Sequence, residues 1–176
     1  MNTLPALYPN QLHLLVAARP ARHELVNTMI ARLARSGPQR LLDGGNCFQA
    51  HRIARLLRRD TSDLSAALGG IHIARAFTCY QVATLLAETP ALPIPTLVLD
   101  LLTTFHDENV PLHERQRLLM VSLDHLRRLS HQAPTLLSVA LESADTSTEL
   151  LALLEEAADQ VWRFEPQPPA EPLRLF

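Results

Sequence analysis

The sequence predicts an α/β fold: a three-layer α/β/α domain with a mostly parallel sheet. Short apolar runs alternate with longer stretches of helical periodicity along the 176 residues. Strict alternation of strands and helices is the pattern of a parallel sheet that helices cover on both faces. Hydrophobic residues make up 47% and charged residues 19% of the chain, which is typical of a globular protein. We expect one domain over residues 1–165 and a stiff, Pro-rich tail over residues 166–176.

The first half of the chain supplies three predicted strands. Leu12–Ala18 is a continuous apolar run, as expected for a strand that is buried on both faces. Pro20 suits the first turn of the next helix, where its missing N–H costs nothing, and Gly37 with Pro38 ends that helix. The elements that follow are predicted as a strand at Arg40–Asp43, a helix at Gln49–Arg59 and a strand at Gly70–Arg75.

The second half of the chain continues the alternation. Thr78 and Gln81 form a capping box, which predicts a helix that runs to about Glu88. Ile94–Leu102 is the strongest candidate for a buried strand. Pro111 opens a long amphipathic helix, in which Leu112 and the leucines that follow it at helical spacing are expected to face inward. The last predicted elements are a strand at Pro134–Leu141, a helix that begins with a Thr146/Glu149 capping box and ends near Ala158, and a strand at Gln160–Glu165.

All 16 basic residues are arginine, so the chain contains no lysine. Schiff-base chemistry and a phosphate-gripping P-loop lysine are therefore excluded. Residues 1–88 carry 10 arginines and 5 acidic residues, whereas residues 89–176 carry 6 arginines and 13 acidic residues. This polarity fits a basic binding face or head-to-tail contact between subunits, and chance segregation on a solvated surface is the alternative.

The cysteine content and the N-terminal residues bear on the cellular compartment. Cys47 and Cys79 do not form a disulfide framework, which predicts a reduced, cytoplasmic protein. The first residues are interrupted by polar side chains and lack a positively charged segment, so neither a signal peptide nor a membrane span is predicted. We expect no membrane partner.

Ligands of parallel α/β sheets bind at the carboxyl ends of the strands. The residues that follow the predicted strands are Arg19, Asp43 to Phe48, Arg75 to Thr78, Asp100 to Thr104, and Glu142 with Ser143.

Several of these strand ends resemble the core of the RecA/RadA recombinases. The strand, turn and helix over Leu41–Ile53 resemble the segment after that family's second core strand, and Ile73–Phe77 resembles the segment that opens the next helix. Leu97–Asp100 resembles the Walker B strand. The long helix and the strand at 135–141 follow in matching order, so the resemblance covers roughly residues 11–165. It implies a RecA-like sheet of the P-loop NTPase type.

The sequence departs from that family at two places on which ATP hydrolysis depends. The stretch that corresponds to the P-loop, Ala18–Glu24, has no glycine, lysine, serine or threonine. The family's water-activating glutamate lies two residues after a strand aspartate, where this chain has Gly45. Either loss would lower the rate by several orders of magnitude. The resemblance therefore implies no catalytic residues, no cofactor and a degenerate nucleotide site formed by Arg19, Arg22, His23, Asp43, Gly45 and Asp100.

Three residues of this degenerate site have alternative interpretations. Asp100 could hold a Mg²⁺-bound water, but a structural role is favoured because no phosphate grip lies beside it. Arg19 and Arg22 lie at a helix N-terminus, where they either attract an external phosphate or carboxylate or point into solvent.

A second candidate site is a basic helix face formed by Arg52, Arg55, Arg58 and Arg59, with Arg40 nearby. Such a row could follow a nucleic-acid backbone, and a solvated helix face is the alternative. No aromatic residue lies among these arginines, so base stacking is not expected. The eight histidines show no convincing ligand set, so we predict no metal site.

Together these features predict a non-catalytic RecA-like paralogue that is a structural or adaptor subunit of a DNA-repair or recombination complex. The resemblance implies a hetero-oligomer with another recombinase-like or repair subunit, and single-stranded DNA is a possible ligand. Two alternatives stay open: a RecA-like scaffold in a non-DNA assembly, such as one for RNA modification or signalling, and an α/β domain whose ligand or enzymatic site has moved elsewhere.

Overall fold

The computed structural model describes residues 5–141 and 148–164, and a parallel sheet forms the centre of the fold. Its strands in chain order are β1 (Leu12–Ala18), β2 (Gln39–Asp43), β3 (Ile71–Arg75), β4 (Thr96–Leu99), β5 (Thr135–Leu141) and β6 (Gln160–Phe164). Its helices are α1 (Arg19–Ala34), α2 (Ala50–Asp60), α3 (Leu64–Gly69), α4 (Cys79–Glu88), α5 (Leu112–Ser130) and α6 (Thr148–Ala157).

The six strands lie in the order β3-β2-β4-β5-β1-β6, and all their pairings are parallel. In β1, Leu12, Leu14 and Val16 pack toward α4, α5 and α6, whereas Leu15 and Ala17 pack toward α1, α2 and α3. This alternation follows from the two-residue period of a strand and fills one apolar core on each face of the sheet. The predicted α/β/α architecture is confirmed, and it is consistent with a RecA-like fold.

Most predicted boundaries lie within two residues of those in the structure, but the strand at Ile94–Leu102 was predicted too long. β4 ends at Leu99 because Asp100 adopts the left-handed conformation, with φ 53° and ψ 49°. Leu101–Phe105 then forms a 3-10 helix in place of the end of a strand. The backbone thus turns at the residue that was matched to the Walker B aspartate.

Two further differences concern helices. The short α3 was not predicted, although Asp63 caps it by accepting a hydrogen bond from the Ala66 N–H at 2.9 Å. Leu112 was expected to face inward from α5 but is exposed. The Thr78 cap is confirmed, since its hydroxyl accepts from the Gln81 N–H at 3.1 Å, while the Gln81 side chain accepts from the N–H of Phe77 and not from that of Thr78.

Across residues 5–141 and 148–164, no helix combines the length and apolar character that a membrane span requires. Three predicted features lie outside the described residues: the strand-end residues Glu142 and Ser143, the Thr146 cap and the Pro-rich tail over 166–176.

Candidate functional site

The carboxyl ends of β1, β2 and β4 enclose a cavity of about 190 Å³, which we call the strand-end cavity. Five of the six residues predicted for the degenerate nucleotide site contribute to its lining, so the structure brings them together as expected for a parallel sheet. The sixth, Asp43, lies buried beside Cys47. The lining consists of Arg19, Arg22, His23, Gly45, Asn46, Cys47, Gln49, Asp100 and Thr103.

Arg22 and Asp100 form a buried ion pair at the base of this cavity. The Nη2 atom of Arg22 lies 3.0 Å from Oδ2 of Asp100, and only 1% and 7% of the two side chains are exposed. Of the two alternatives that the sequence left open for Arg22, the one in which it points into solvent is therefore wrong. Arg22 lies one turn into α1, so its side chain reaches back over the sheet, where an internal carboxylate provides the negative charge. Desolvation makes such a pair costly to form and costly to break.

Asp100 also joins β4 to β5 through two further hydrogen bonds. Its backbone N–H donates to Oγ of Ser138 at 3.1 Å, and its Oδ1 accepts the N–H of Ala140 at 2.9 Å. With Oδ2 next to Arg22, both carboxylate oxygens have partners within the protein. These contacts agree with the structural role that the sequence favoured for Asp100.

Gly45 leaves no room for a side chain at the position of the family's general base. A Cβ atom placed on Gly45 would lie 2.4 Å from Cβ and 3.0 Å from Oδ2 of Asp100. The N–H of Gly45 also donates to the carbonyl of Leu99 at 3.2 Å, which holds the turn against the end of β4. A glutamate could be placed here only if the backbone moved.

Asp43 fixes the turn that carries Gly45. Its carboxylate accepts the backbone N–H groups of Cys47 and Phe48, each at 3.0 Å, and this local bonding holds the chain between β2 and α2. Nε of Arg75 lies 3.5 Å from the same carboxylate. Asp43 is thus an anchor of the loop whose residues Gly45, Asn46 and Cys47 line the cavity.

Two titratable groups that line the strand-end cavity are uncharged near neutral pH. Burial raises the pKa of the Cys47 thiol to about 11, although Arg22 opposes this shift. Burial, followed by the nearby Arg22, lowers the pKa of His23 below its usual 6.5. A thiol that stays protonated is a poor nucleophile. Among the described residues, no group of three His, Cys, Asp or Glu side chains could hold a metal ion.

A larger depression of about 910 Å³ lies between α1 and α2, and we call it the α1–α2 groove. It adjoins the strand-end cavity, because Arg19 and His23 line both. The lining residues are Arg19, Pro20, His23, Glu24, Asn27 and Thr28 on the α1 side and His51, Arg52, Arg55, Leu56 and Arg59 on the α2 side.

The groove contains three of the five residues predicted to bind nucleic acid. Arg52, Arg55 and Arg59 repeat at intervals of three and four, which places them on one face of α2. Arg58 is exposed but lies outside the lining. Arg40 is also separate, because it lies near the start of β2, where its Nη1 donates to the carbonyl of Pro90 at 3.0 Å.

In comparisons with known proteins, no family model matches the chain, and no curated protein matches it either. The resemblance to recombinases therefore stays a prediction that rests on the residues and their order.

Proposed function

We propose that this chain is a non-catalytic RecA-like subunit that acts as a structural or adaptor component of a cytoplasmic DNA-repair or homologous-recombination complex. The buried ion pair between Arg22 and Asp100 is the observation on which this proposal chiefly depends. RecA-type ATPases hold phosphate after the first strand and use the Walker B aspartate for Mg²⁺. In this chain, Arg22 lies in the segment that corresponds to the phosphate grip. Its positive charge neutralises Asp100, the residue matched to the Walker B aspartate.

Two further features of the described strand ends oppose ATP hydrolysis. Pro20 lacks the N–H that a phosphate-binding turn would provide, and Gly45 cannot carry a general base without a shift of the backbone. Because both the phosphate grip and the base are missing, we expect the fold to act through binding.

A protein partner is supported by exposed aromatic side chains beside the sheet edge. Phe77 is 65% exposed and Tyr80 is 48% exposed, and both lie in the segment that follows the edge strand β3. Exposed aromatic residues are enriched in protein interfaces. We propose a hetero-oligomer with another recombinase-like or repair subunit.

The α1–α2 groove is proposed to bind single-stranded nucleic acid through its phosphate backbone. The three arginines on α2 span about 10 Å along the helix, a length over which one strand carries about two or three phosphates. Guanidinium groups bind phosphate oxygens in a bidentate manner. No ion pair within residues 5–141 and 148–164 involves Arg52, Arg55 or Arg59, so this part of the chain leaves their charges available to a ligand.

The composition of the groove favours a nucleic-acid backbone over a peptide. Pro20 and Leu56 are the apolar residues of the lining. A peptide would therefore find few anchors of the aromatic or aliphatic kind that dominate protein interfaces.

The absence of nucleotide hydrolysis is tested by titrating the full chain with ATP and Mg²⁺ in a calorimeter and by measuring phosphate release. We expect no heat of binding and no turnover at ATP concentrations up to about 1 mM. A dissociation constant of about 1 mM corresponds to a binding free energy of about −4 kcal/mol, so any binding should be weaker than that. Micromolar binding or steady turnover would contradict the proposal.

The nucleic-acid site is tested by the fluorescence anisotropy of a labelled oligothymidylate at two salt concentrations. The variant Arg52→Gln/Arg55→Gln should bind at least tenfold more weakly, and its salt slope should fall by about 1.4 for the two lost contacts. The matched control is Arg32→Gln/Arg58→Gln, which removes two exposed arginines outside the groove. If both double variants lost the same affinity for the oligonucleotide, the binding would depend on general charge attraction and not on the groove.

The partner is tested by cross-linking in the native host, followed by reconstitution of the purified pair. A recombinase-like or repair subunit that binds wild type but not Phe77→Ser/Tyr80→Ser would support the adaptor role. Association with an RNA-modifying or signalling assembly would favour the alternative scaffold function.

A further inference from the structure

We infer that Glu24 makes the α1–α2 groove select guanine among the bases of the strand that it binds. The inference deepens the proposed function and rests on it, because a strand must lie in the groove before its bases can be distinguished. It assigns different roles to the two walls: α2 binds the phosphates, and α1 contacts the edge of a base.

The two walls of the groove differ in charge. The α2 wall presents the guanidinium groups of Arg52, Arg55 and Arg59, and all three residues are exposed. On the α1 wall, the described lining residues that follow His23 carry no positive charge, and the first of them is Glu24. A strand that lies between these walls therefore has its phosphates attracted mainly to the α2 side.

The two walls run side by side along the groove. Both helices follow strands of the parallel sheet and pack on the same face of it, so they point in the same direction. Their C-terminal ends are joined by an ion pair between Arg35 and Asp60, whose Nη1 and Oδ2 atoms lie 3.1 Å apart. A strand held by the arginines of α2 therefore turns its other side, which carries the bases, toward α1.

Glu24 supplies an accessible carboxylate on the α1 wall. The residue is exposed, and it is the one acidic residue among the described residues that line the groove. Within residues 5–141 and 148–164, no ion pair involves its carboxylate. Its negative charge repels phosphate over about 8 Å at physiological ionic strength, which keeps the backbone of the strand on the α2 side. The carboxylate is then left to accept hydrogen bonds from a base.

Guanine is the base whose edge best fits such an acceptor, because an ionised carboxylate accepts hydrogen bonds and donates none. The Watson–Crick edge of an unpaired guanine has two adjacent donors, N1–H and the N2 amino group, one for each carboxylate oxygen. On the same edge, cytosine and adenine place an amino group next to a ring nitrogen that only accepts. Thymine places its single N–H between two carbonyl oxygens, which the negative charge would repel.

The test measures the fluorescence anisotropy of labelled oligothymidylates of about 12 nucleotides, within the usual site size of about 4–16. The central thymines are replaced by guanine, by adenine, or by hypoxanthine, which differs from guanine only in lacking the N2 amino group. We expect guanine to tighten binding at least about fivefold, the lower limit for a good bidentate contact with a base. Hypoxanthine and adenine should each gain less than guanine.

The variant Glu24→Met removes the carboxylate and keeps an unbranched side chain that suits a helix. It should abolish the gain from guanine, and it should tighten binding of the all-thymine strand because a negative charge leaves a basic groove. Glu88→Met is the matched control, since it removes the same charge from an exposed position at the end of α4, outside the groove. The control should keep the guanine gain of wild type.

The outcomes separate the two levels of the proposal. Equal affinity for the guanine and thymine strands, or hypoxanthine bound as tightly as guanine, would overturn the role of Glu24 and leave the groove intact. A guanine gain that survives Glu24→Met would assign the selection to the arginines, which can bind O6 and N7 of guanine, and the inference would be wrong. Failure of every strand to bind would overturn the groove itself.

Discussion

Gly45 packs directly against Asp100, and a Cβ atom added to Gly45 would lie 2.4 Å from the Asp100 Cβ atom. The obstructing atom cannot move freely, because the Asp100 carboxylate is held by Arg22 and by the N–H of Ala140. Its backbone is also fixed, since it has the left-handed conformation that ends β4. The missing general base and the buried ion pair are thus parts of one packing arrangement, and a single substitution cannot restore the first without disturbing the second.

The substitution Gly45→Ala is expected to destabilise the fold by about 1–3 kcal/mol, the usual cost of overpacking a close contact. Urea denaturation measures the change in the free energy of unfolding. The matched control is Gly69→Ala in α3, where a Cβ atom would meet nothing within 4 Å. That change should be neutral or stabilise by up to about 1 kcal/mol, because alanine is the better helix former. A Gly45→Ala variant as stable as wild type would contradict the packing described for Asp100.

The ion pair itself is tested by a double-mutant cycle. Arg22→Met leaves the Asp100 carboxylate buried without its cation, which should cost about 3–5 kcal/mol. Asp100→Asn removes the charge, tolerates the left-handed backbone and keeps an oxygen for the Ala140 N–H. The double variant should therefore unfold at a higher urea concentration than Arg22→Met alone. Strictly additive costs would mean that the two side chains are not coupled.

The sheet, and the strand ends that lie together at its edge, were predictable from the sequence. The side-chain contacts between those strand ends were not. Continuous apolar runs such as Leu12–Ala18 define strands locally, and the parallel topology then brings residues 19, 45 and 100 to one edge. The pairing of Arg22 with Asp100 joins residues far apart in the chain, and no local pattern indicates it. The same limit applies to Arg40, because its partner is a carbonyl group of Pro90.

Helix periodicity was informative where the helix was long enough to show it. Arg52, Arg55 and Arg59 repeat with helical spacing, so a shared face was predictable, whereas the opposing wall of the groove on α1 was not. The short α3 was missed because a six-residue helix shows less than two turns of any pattern. The early end of β4 was missed because the apolar run continues past Asp100 into Leu101 and Leu102, which are buried in a 3-10 helix.

The reactivity of Cys47 provides a test of how deeply its thiol is buried beside the strand-end cavity. With a pKa of about 11, its thiolate fraction at pH 8 is about two orders of magnitude below that of an ordinary thiol of pKa about 8.5. Alkylation by iodoacetamide should be slower by a similar factor in the folded chain and should recover in urea. Peptide mass spectrometry distinguishes Cys47 from the buried Cys79. Rapid modification of Cys47 in the folded chain would contradict the environment described here.

His13 is expected to make the stability of the fold depend on pH. This side chain is fully buried, its Nδ1 lies 3.2 Å from the carbonyl oxygen of Thr135, and its Nε2 accepts the N–H of Tyr8 at 3.3 Å. Its ring also stacks on Trp162 of the edge strand, with the ring centroids 5.0 Å apart. Both nitrogens are thus used by the neutral ring, in which Nδ1 carries the hydrogen. Protonation would place a second N–H against that of Tyr8.

Acidification should therefore weaken the fold. Burial lowers the pKa of His13 in the folded chain, although the Thr135 carbonyl and Asp159 partly oppose the shift. In the unfolded chain the pKa returns to about 6.5, so below that pH the unfolded state binds more protons and stability falls. His23 and His106, whose pKa values are also lowered by burial, contribute with the same sign. The variant His13→Phe isolates one of these contributions, because it keeps a stacking ring that does not titrate.

The measurement is the free energy of unfolding at about pH 7.5 and pH 5, on either side of the histidine range. At the higher pH, His13→Phe should be less stable by about 1–3 kcal/mol, because Tyr8 and Thr135 lose their partner. The loss between the two pH values should be smaller in His13→Phe than in wild type. His131→Gln, at an exposed position after α5, serves as the control and should retain the wild-type dependence. If His13→Phe also retained it, the protonation of His13 would not be coupled to folding, and the hydrogen bond from Tyr8 would not depend on the neutral ring.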